Sequence, residues 1–126
     1  MVTVLAAQAA ARKAVEANYF GTLTVTEMKK KRDEETKLTR NVQEVILEGQ
    51  PCRLSFERLT AAVQSDSAAA VTQVVKLFVS PDVEIKEGSK ITITQDGITN
   101  DYERSGIPAI YPTHQEIILN PFKNRT

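Results

Sequence analysis

The chain has 126 residues, of which 41% are hydrophobic and 25% are charged, and this composition is typical of one globular domain. Sixteen Lys and Arg residues balance sixteen Asp and Glu residues, so no net charge draws the protein towards nucleic acid or anionic membranes. One cysteine and one histidine cannot form an internal disulfide or a structural zinc site. We therefore expect a single domain over residues 1–126 that contains no metal and no cofactor.

The first segment is rich in alanine and predicts a helix within residues 1–20. Thr3 can cap this helix, and neither Gly nor Pro occurs before Gly21. The apolar residues 1–11 are unlike a secretion signal, because no Lys or Arg precedes them and Gln8 interrupts them. They are also too short to span a bilayer. We expect a protein of intracellular origin that has no membrane partner.

From Gly21 onward the pattern alternates, and it predicts β-structure for residues 21–120, followed by a short tail at 121–126. Turns are predicted at 49–51 and at the Asp-Gly pair 96–97, and an irregular connection is predicted at 105–112. Strands are predicted at 22–26, 42–48, 52–57, 73–79, 82–85, 90–95, 98–103 and 114–119. The fold class is therefore mainly β: a small barrel or sandwich of six to eight short strands with an Ala-rich N-terminal helix.

A long, small and polar segment interrupts the strands at residues 58–72. A loop of this length is uncommon within a compact domain and tends to be functional. Just before it, Cys52, Leu54 and Phe56 alternate with polar residues, so we predict that these three side chains share one buried face. Cys52 is then an inert packing thiol.

Catalytic chemistry finds little support in the sequence. Strand alternation places Glu116 on the same face as His114, and such a pair can transfer protons. A surface histidine is the favoured alternative, because no Ser or Cys nucleophile lies in an activating context. The five glycines are isolated from one another, so no loop can present several backbone amides to a phosphate. We expect no catalytic residues and no enzymatic activity.

One basic cluster is present, and it is formed by Lys29, Lys30, Lys31 and Arg32. Four adjacent cations can contact DNA phosphates or a neighbouring subunit. Three acids follow at once and weaken the field, so a solvated hairpin tip is the favoured alternative.

Four phrases of the sequence resemble a known family: residues 49–56 (GQPCRLSF), 62–67 (AVQSDS), 88–97 (GSKITITQDG) and 114–119 (HQEIIL). In this order they resemble the minor capsid proteins of tailed phages and prophages of Gram-positive bacteria. Those proteins look like the head-closure, or stopper, proteins of long-tailed phage connectors. The resemblance covers about residues 21–119, and the N-terminal helix matches it only weakly.

The resemblance implies a small β-barrel that forms a ring of six or twelve copies beneath the portal and adaptor rings. Such a ring seals the channel around packaged double-stranded DNA and offers its other face to the tail terminator or tail tube. It implies a location at the head–tail interface of the virion, after assembly in the host cytoplasm. By order of elements, the channel-gating loop corresponds to residues 58–72, with its tip at Gln64, Ser65, Asp66 and Ser67.

Two alternatives remain open on the sequence alone. The first is a tail terminator or tail-completion protein, which also forms a ring but lies on the tail side of the joint. The second is a small nucleic-acid-binding barrel that uses the basic cluster at residues 29–32. The salt dependence of DNA binding distinguishes this second alternative from a connector protein, because a module that contacts several phosphates loses affinity for DNA steeply as the salt concentration rises.

Overall fold

The computed structural model of the protein describes residues 3–61 and 70–123. In this part of the chain one helix precedes six strands: α1 (Val4–Glu16), β1 (Gly21–Arg32), β2 (Thr39–Ala61), β3 (Ala70–Val79), β4 (Lys90–Gln95), β5 (Ile98–Ile110) and β6 (Gln115–Pro121). Neighbouring strands are antiparallel and close into a barrel in the order β1-β2-β3-β6-β5-β4. The predicted mainly β barrel with an N-terminal helix is confirmed.

The helix begins where the sequence predicts, because the Thr3 hydroxyl accepts a hydrogen bond from the Ala6 amide at 3.1 Å. No side chain of α1 is buried, so the helix lies on the surface of the barrel. Among the described residues, no helix combines the length and the apolar character needed to cross a membrane.

Alternate residues of the six strands fill the barrel interior, as the period of two predicts. Each of the larger aliphatic side chains contributes about 1.5–3 kcal/mol by leaving water. The buried apolar core consists of Leu23, Val25, Cys52, Leu54, Leu77, Val79, Ile85, Ile91, Ile93, Tyr102, Ile117 and Leu119.

Phe56 is the exception to the predicted buried face of β2. Cys52 and Leu54 are buried, but 53% of Phe56 is exposed. Its partner Val75 pairs with Leu119 at the last rung that β3 shares with β6. Phe56 therefore lies at the rim of the barrel, where little of the core remains to cover it.

The predicted turn at residues 49–51 is wrong, because β2 continues through this segment. Leu23 pairs with Gln50 and Val25 pairs with Leu47, so Thr24 faces two residues of β2. One of these is Gly49, whose φ of +68° is readily adopted only by glycine. Gly49 therefore forms a β-bulge that bends the strand without ending it.

The predicted strand at residues 82–85 is also wrong, although Ile85 is buried. No strand of the described residues pairs with this segment, and side chains satisfy its backbone instead. The amide of Gln115 donates to the Ser80 and Val83 carbonyls at 3.2 and 2.8 Å, and Arg104 donates to the Ile85 carbonyl at 2.8 Å. The segment is therefore a covering loop that these two side chains hold against the barrel.

Two predicted connections are partly strand. Residues 105–110 belong to β5, which continues past a bulge that contains Gly106 at a φ of +74°. Likewise, the predicted loop at 58–72 is shorter than expected, because β2 and β3 pair as far as Ala61 and Ala70. In both places the pairing of distant strands extends a segment whose local composition is typical of a loop.

The seam between β1 and β2 is closed by a side chain. β1 begins at Gly21, opposite Cys52, so Leu54 has no β1 residue beside it. The Gln95 amide fills this position: its Oε1 accepts from the Leu54 N–H at 2.8 Å, and its Nε2 donates to the Leu54 carbonyl at 3.2 Å. A Cβ at Gly21 would lie 3.0 Å from Gln95 Oε1 and 3.1 Å from the Cys52 carbonyl oxygen, so a larger residue there would crowd this amide.

Replacement of this amide tests whether it closes the barrel. We expect Gln95→Ala to lower the free energy of unfolding by about 1–3 kcal/mol, because a partly buried N–H and carbonyl lose their partners. The exposed Gln73 provides the control, and Gln73→Ala should change stability by less than about 0.5 kcal/mol. Urea unfolding followed by circular dichroism measures both variants, and equal losses would contradict the assignment.

Candidate assembly surfaces and the histidine cluster

Two pairs of strands extend beyond the barrel. β1 pairs with β4 only as far as Thr26, so residues 27–44 form a two-stranded projection that we call the first arm. At the other end of β2, β3 pairs with β6 only from Val75. Residues 57–61 and 70–74 therefore pair only with each other, and we call them the second arm.

The basic cluster lies on the first arm, and it occupies the end of β1, ahead of the tip. All four of its side chains are exposed. Lys29 forms ion pairs with Glu44 at 2.8 Å and with Glu27 at 3.9 Å. The hydrogen bond with Glu44 raises the pKa of Lys29, and the same bond lowers the pKa of Glu44. One of the four cations is therefore neutralised within the chain.

Strand alternation divides the cluster between the two faces of the arm. Lys29 and Lys31 lie on one face, and Lys30 and Arg32 lie on the other. A contact with a single row of phosphates would use only two of these cations at a time. The arrangement is better suited to contacts on both sides of a sheet.

The residues predicted to form the tip of the channel gate are Gln64, Ser65, Asp66 and Ser67, and they lie outside the described residues. The structure shows where their segment is attached. Ala61 and Ala70 form the last described pair of the second arm, so the segment leaves and re-enters the fold at one place. The second arm, which extends beyond the barrel, therefore fixes both ends of the segment.

His114 and Glu116 do meet, as strand alternation predicts. His114 Nε2 lies 2.8 Å from Glu116 Oε2, and the Thr113 hydroxyl lies 2.9 Å from His114 Nδ1. The ring of Tyr111 stacks on the imidazole, with 4.9 Å between ring centroids. Lys76 adds an ion pair to Glu116 at 3.4 Å. Thr113, Glu116 and Tyr111 contact the histidine and restrict its orientation, and Lys76 binds Glu116 from the other side.

The electrostatics of this histidine cluster favour a charged carboxylate. Hydrogen bonding by His114 lowers the pKa of Glu116, and Lys76 lowers it further, against a smaller opposing effect of burial. A carboxylate held in its ionised form by two partners is a poor proton acceptor at neutral pH. Both imidazole nitrogens already contact side chains, so the geometry suits a brace between β6 and the preceding loop.

The described residues contain no group of three or more His, Cys, Asp or Glu side chains arranged to hold a metal ion. Cys52 is fully buried, and burial raises the pKa of its thiol to about 12. Its thiolate is therefore scarce at physiological pH, as expected for a packing cysteine.

The sequence analysis missed Arg12, which holds α1 on the barrel. Its guanidinium contacts Asp82 at 2.7 Å and Ser80 at 2.5 Å, and it also bonds Glu16 on its own helix at 3.2 Å. Asp82 and Ser80 lie in the covering loop, about 70 residues further along the chain. No local pattern in the sequence connects Arg12 with these partners.

Comparison with known proteins gives one structural similarity. No protein-family model matches the chain, and no curated protein sequence matches it. A solved structure, the phage-like element PBSX protein xkdH from Bacillus subtilis, is similar with a TM-score of 0.46 and 9% sequence identity. The similarity covers 80% of this chain and 90% of that chain, and it is too low to assign a function.

The anchoring role of Arg12 can be tested by hydrogen exchange. We expect Arg12→Gln to increase the exchange of α1 amides while the exchange of barrel amides stays unchanged, because the helix buries no side chain of its own. Lys13→Gln is the matched control, since Lys13 is exposed on the same helix. Unchanged protection of α1 in Arg12→Gln would show that other contacts hold the helix.

Proposed function

We propose that the chain is a structural virion protein of a tailed phage, and that it acts as the head-closure stopper of the head–tail connector. In this role a ring of six or twelve copies binds beneath the portal and adaptor rings and retains the packaged double-stranded DNA. The opposite face of the ring receives the tail terminator or tail tube. The protein performs this task by assembly, without catalysis or a cofactor.

The observation that carries the proposal is the position of the candidate gate. The phrase at residues 62–67 belongs to the sequence resemblance, and the outer end of the second arm holds both ends of this segment. A paired base restricts where the segment can reach, and the described core residues lie in the barrel behind this base. A gate needs this combination of a fixed support and a separable closing element.

Further support comes from the fold and from the arms. The closed barrel is the fold that the resemblance implies, and both arms project from it. The first arm exposes cations and apolar side chains together, as expected of a surface that another subunit covers. Thr113 and Glu116 hold the two imidazole nitrogens of His114 in place, in keeping with a structural role.

Deletion of the gene from its phage tests the proposal. We expect heads that package DNA and then lose it, together with free tails of normal length, because the channel lacks its closure. Electron microscopy of the lysate and nuclease-protected DNA in the particles provide the two measurements. Stably filled heads beside tails of abnormal length would assign the protein to the tail side, and normal infectious virions would refute both roles.

Shortening the candidate gate separates sealing from assembly. Replacing residues 62–69 with Asn-Gly joins β2 and β3 by a favoured two-residue turn and leaves the pairs up to Ala61 and Ala70 available. We expect assembled connectors that leak DNA. The control shortens the other hairpin, at residues 34–36, which lies at the tip of the first arm. Sealed heads from the 62–69 variant would refute the gating role.

A further inference from the structure

Among the described residues, no strand lies beside one side of β2 over residues 39–51. β3 ends opposite Cys52, so these residues pair with β1 on one side only, and we call the other side the uncovered edge because no strand pairs with it. Pro51 marks the start of this edge, and proline, which lacks an N–H, is typical of such an edge. In the described part of the chain β1 also has an edge without a paired strand, which begins after Thr26, where its pairing with β4 stops. The first arm therefore exposes one backbone edge on each side.

The directions of the free backbone groups follow from the ladder. The Asp33 N–H donates to the Leu38 carbonyl at 2.9 Å, and Arg32 pairs with Thr39 next to them. Hydrogen-bonded and non-bonded pairs alternate in an antiparallel ladder. The free groups on β2 therefore belong to Thr39, Asn41, Gln43 and Val45. Those on β1 belong to Met28, Lys30 and Arg32.

The two edges differ in how they are protected from pairing. Natural proteins often place lysines on an edge strand to prevent association, and β1 carries four consecutive cations at its edge. The β2 edge has no cation between residues 41 and 49, and Val45 and Ile46 are 56% and 40% exposed. An edge with free backbone N–H and C=O groups and exposed apolar side chains favours pairing with another strand.

The charges of the two edges are complementary. Residues 39–51 of β2 carry Glu44 and Glu48 with one cation, Arg40, whereas residues 27–32 of β1 carry one acid, Glu27, with four cations: Lys29, Lys30, Lys31 and Arg32. Within the chain, Glu44 Oε2 already forms an ion pair with Lys29 Nζ of this cluster at 2.8 Å. The same attraction favours a second β1 strand on the other side of β2. Two β2 edges would instead place like charges together.

We propose that the uncovered β2 edge at residues 39–51 pairs with the β1 edge of a second copy of this chain. Rotation about a ring axis preserves the direction of a strand that runs along the axis, so a neighbour's β1 would then meet β2 in the antiparallel sense, as β1 does within the chain. The contact joins different surfaces of the two copies, and such contacts close into a ring when the rotation between copies closes. The inference rests on the proposed connector ring and names the contact that builds it.

Cysteine cross-linking tests this contact directly. Single-cysteine variants at β1 positions Met28 or Lys30 are mixed with single-cysteine variants at β2 positions Asn41 or Gln43, so that a β1–β2 disulfide can form only between copies. The native Cys52 does not compete, because it is buried. We expect at least one mixed pair to give a disulfide-linked dimer several-fold more abundant than either variant gives alone. Thr22→Cys, on the exposed outer face of the barrel, is the control partner.

A proline variant tests the backbone pairing itself. Gln43→Pro removes an outward N–H while the bonds from β2 to β1 remain, and Gln43→Ala keeps that N–H. We expect native mass spectrometry to show assembled copies for the wild type and Gln43→Ala, and at least a tenfold loss of assembly for Gln43→Pro. Circular dichroism checks that the variants are folded. If Gln43→Pro does not fold, the cross-linking experiment alone tests the pairing.

The outcomes separate this inference from the proposed function. Equal assembly of Gln43→Pro and wild type, or the absence of every mixed disulfide, overturns the pairing between copies. If Gln43→Pro phage fails to assemble although no mixed disulfide forms, the pairing between copies is also overturned. The β2 edge then binds a different virion protein. If copies pair through this edge but the deletion phage retains its DNA, the connector role fails and the pairing stands.

Discussion

The length of β2 is the constraint from which the rest of the architecture follows. This strand has 23 residues, whereas β4 and β6 have 6 and 7. Hydrogen-bonded neighbours are therefore available on both sides of β2 only near its middle, and the barrel can be no taller than its shortest strands. The two ends of β2 therefore extend beyond the barrel. One end pairs with the part of β1 that also extends beyond it, and the other end pairs with the corresponding part of β3. Both arms are consequences of this mismatch.

Alternation in the sequence correctly predicted which face of each strand is buried. It did not predict how far along the barrel axis this buried face extends. The pairs Leu23 and Val25, Cys52 and Leu54, and Ile117 and Leu119 are buried as a period of two requires. Phe56 continues the same alternation and is exposed, because it lies where β6 no longer supports β3. Alternation tells on which face a side chain lies. It does not tell how far along the barrel axis the other strands extend.

The errors in the predicted connections have one physical origin. The sequence predicts a turn at Gly49 and an irregular connection at Gly106, yet each glycine allows a bulge inside a paired strand. Glycine with positive φ serves a turn and a bulge equally well, and the difference depends on whether a distant strand lies alongside. The covering loop shows the converse. Its apolar residues suggested a strand, but Gln115 takes the place of a neighbouring strand. The positioning residues Arg12, Gln95 and Gln115 were missed for the same reason, since their partners are distant in sequence.

The two ends of β2 can serve different purposes because the barrel lies between them. Hydrogen bonds from β1 and β3 fix the middle of the strand, and the Gln95 amide ties Leu54 to β4 between the two arms. A rearrangement beyond Ala61 would therefore have to disturb the barrel core before it reached the first arm. Local opening of a terminal hairpin costs much less than opening a core strand. A chain built in this way can change at its second arm without disturbing its first arm, and the proposed gate would rely on this separation.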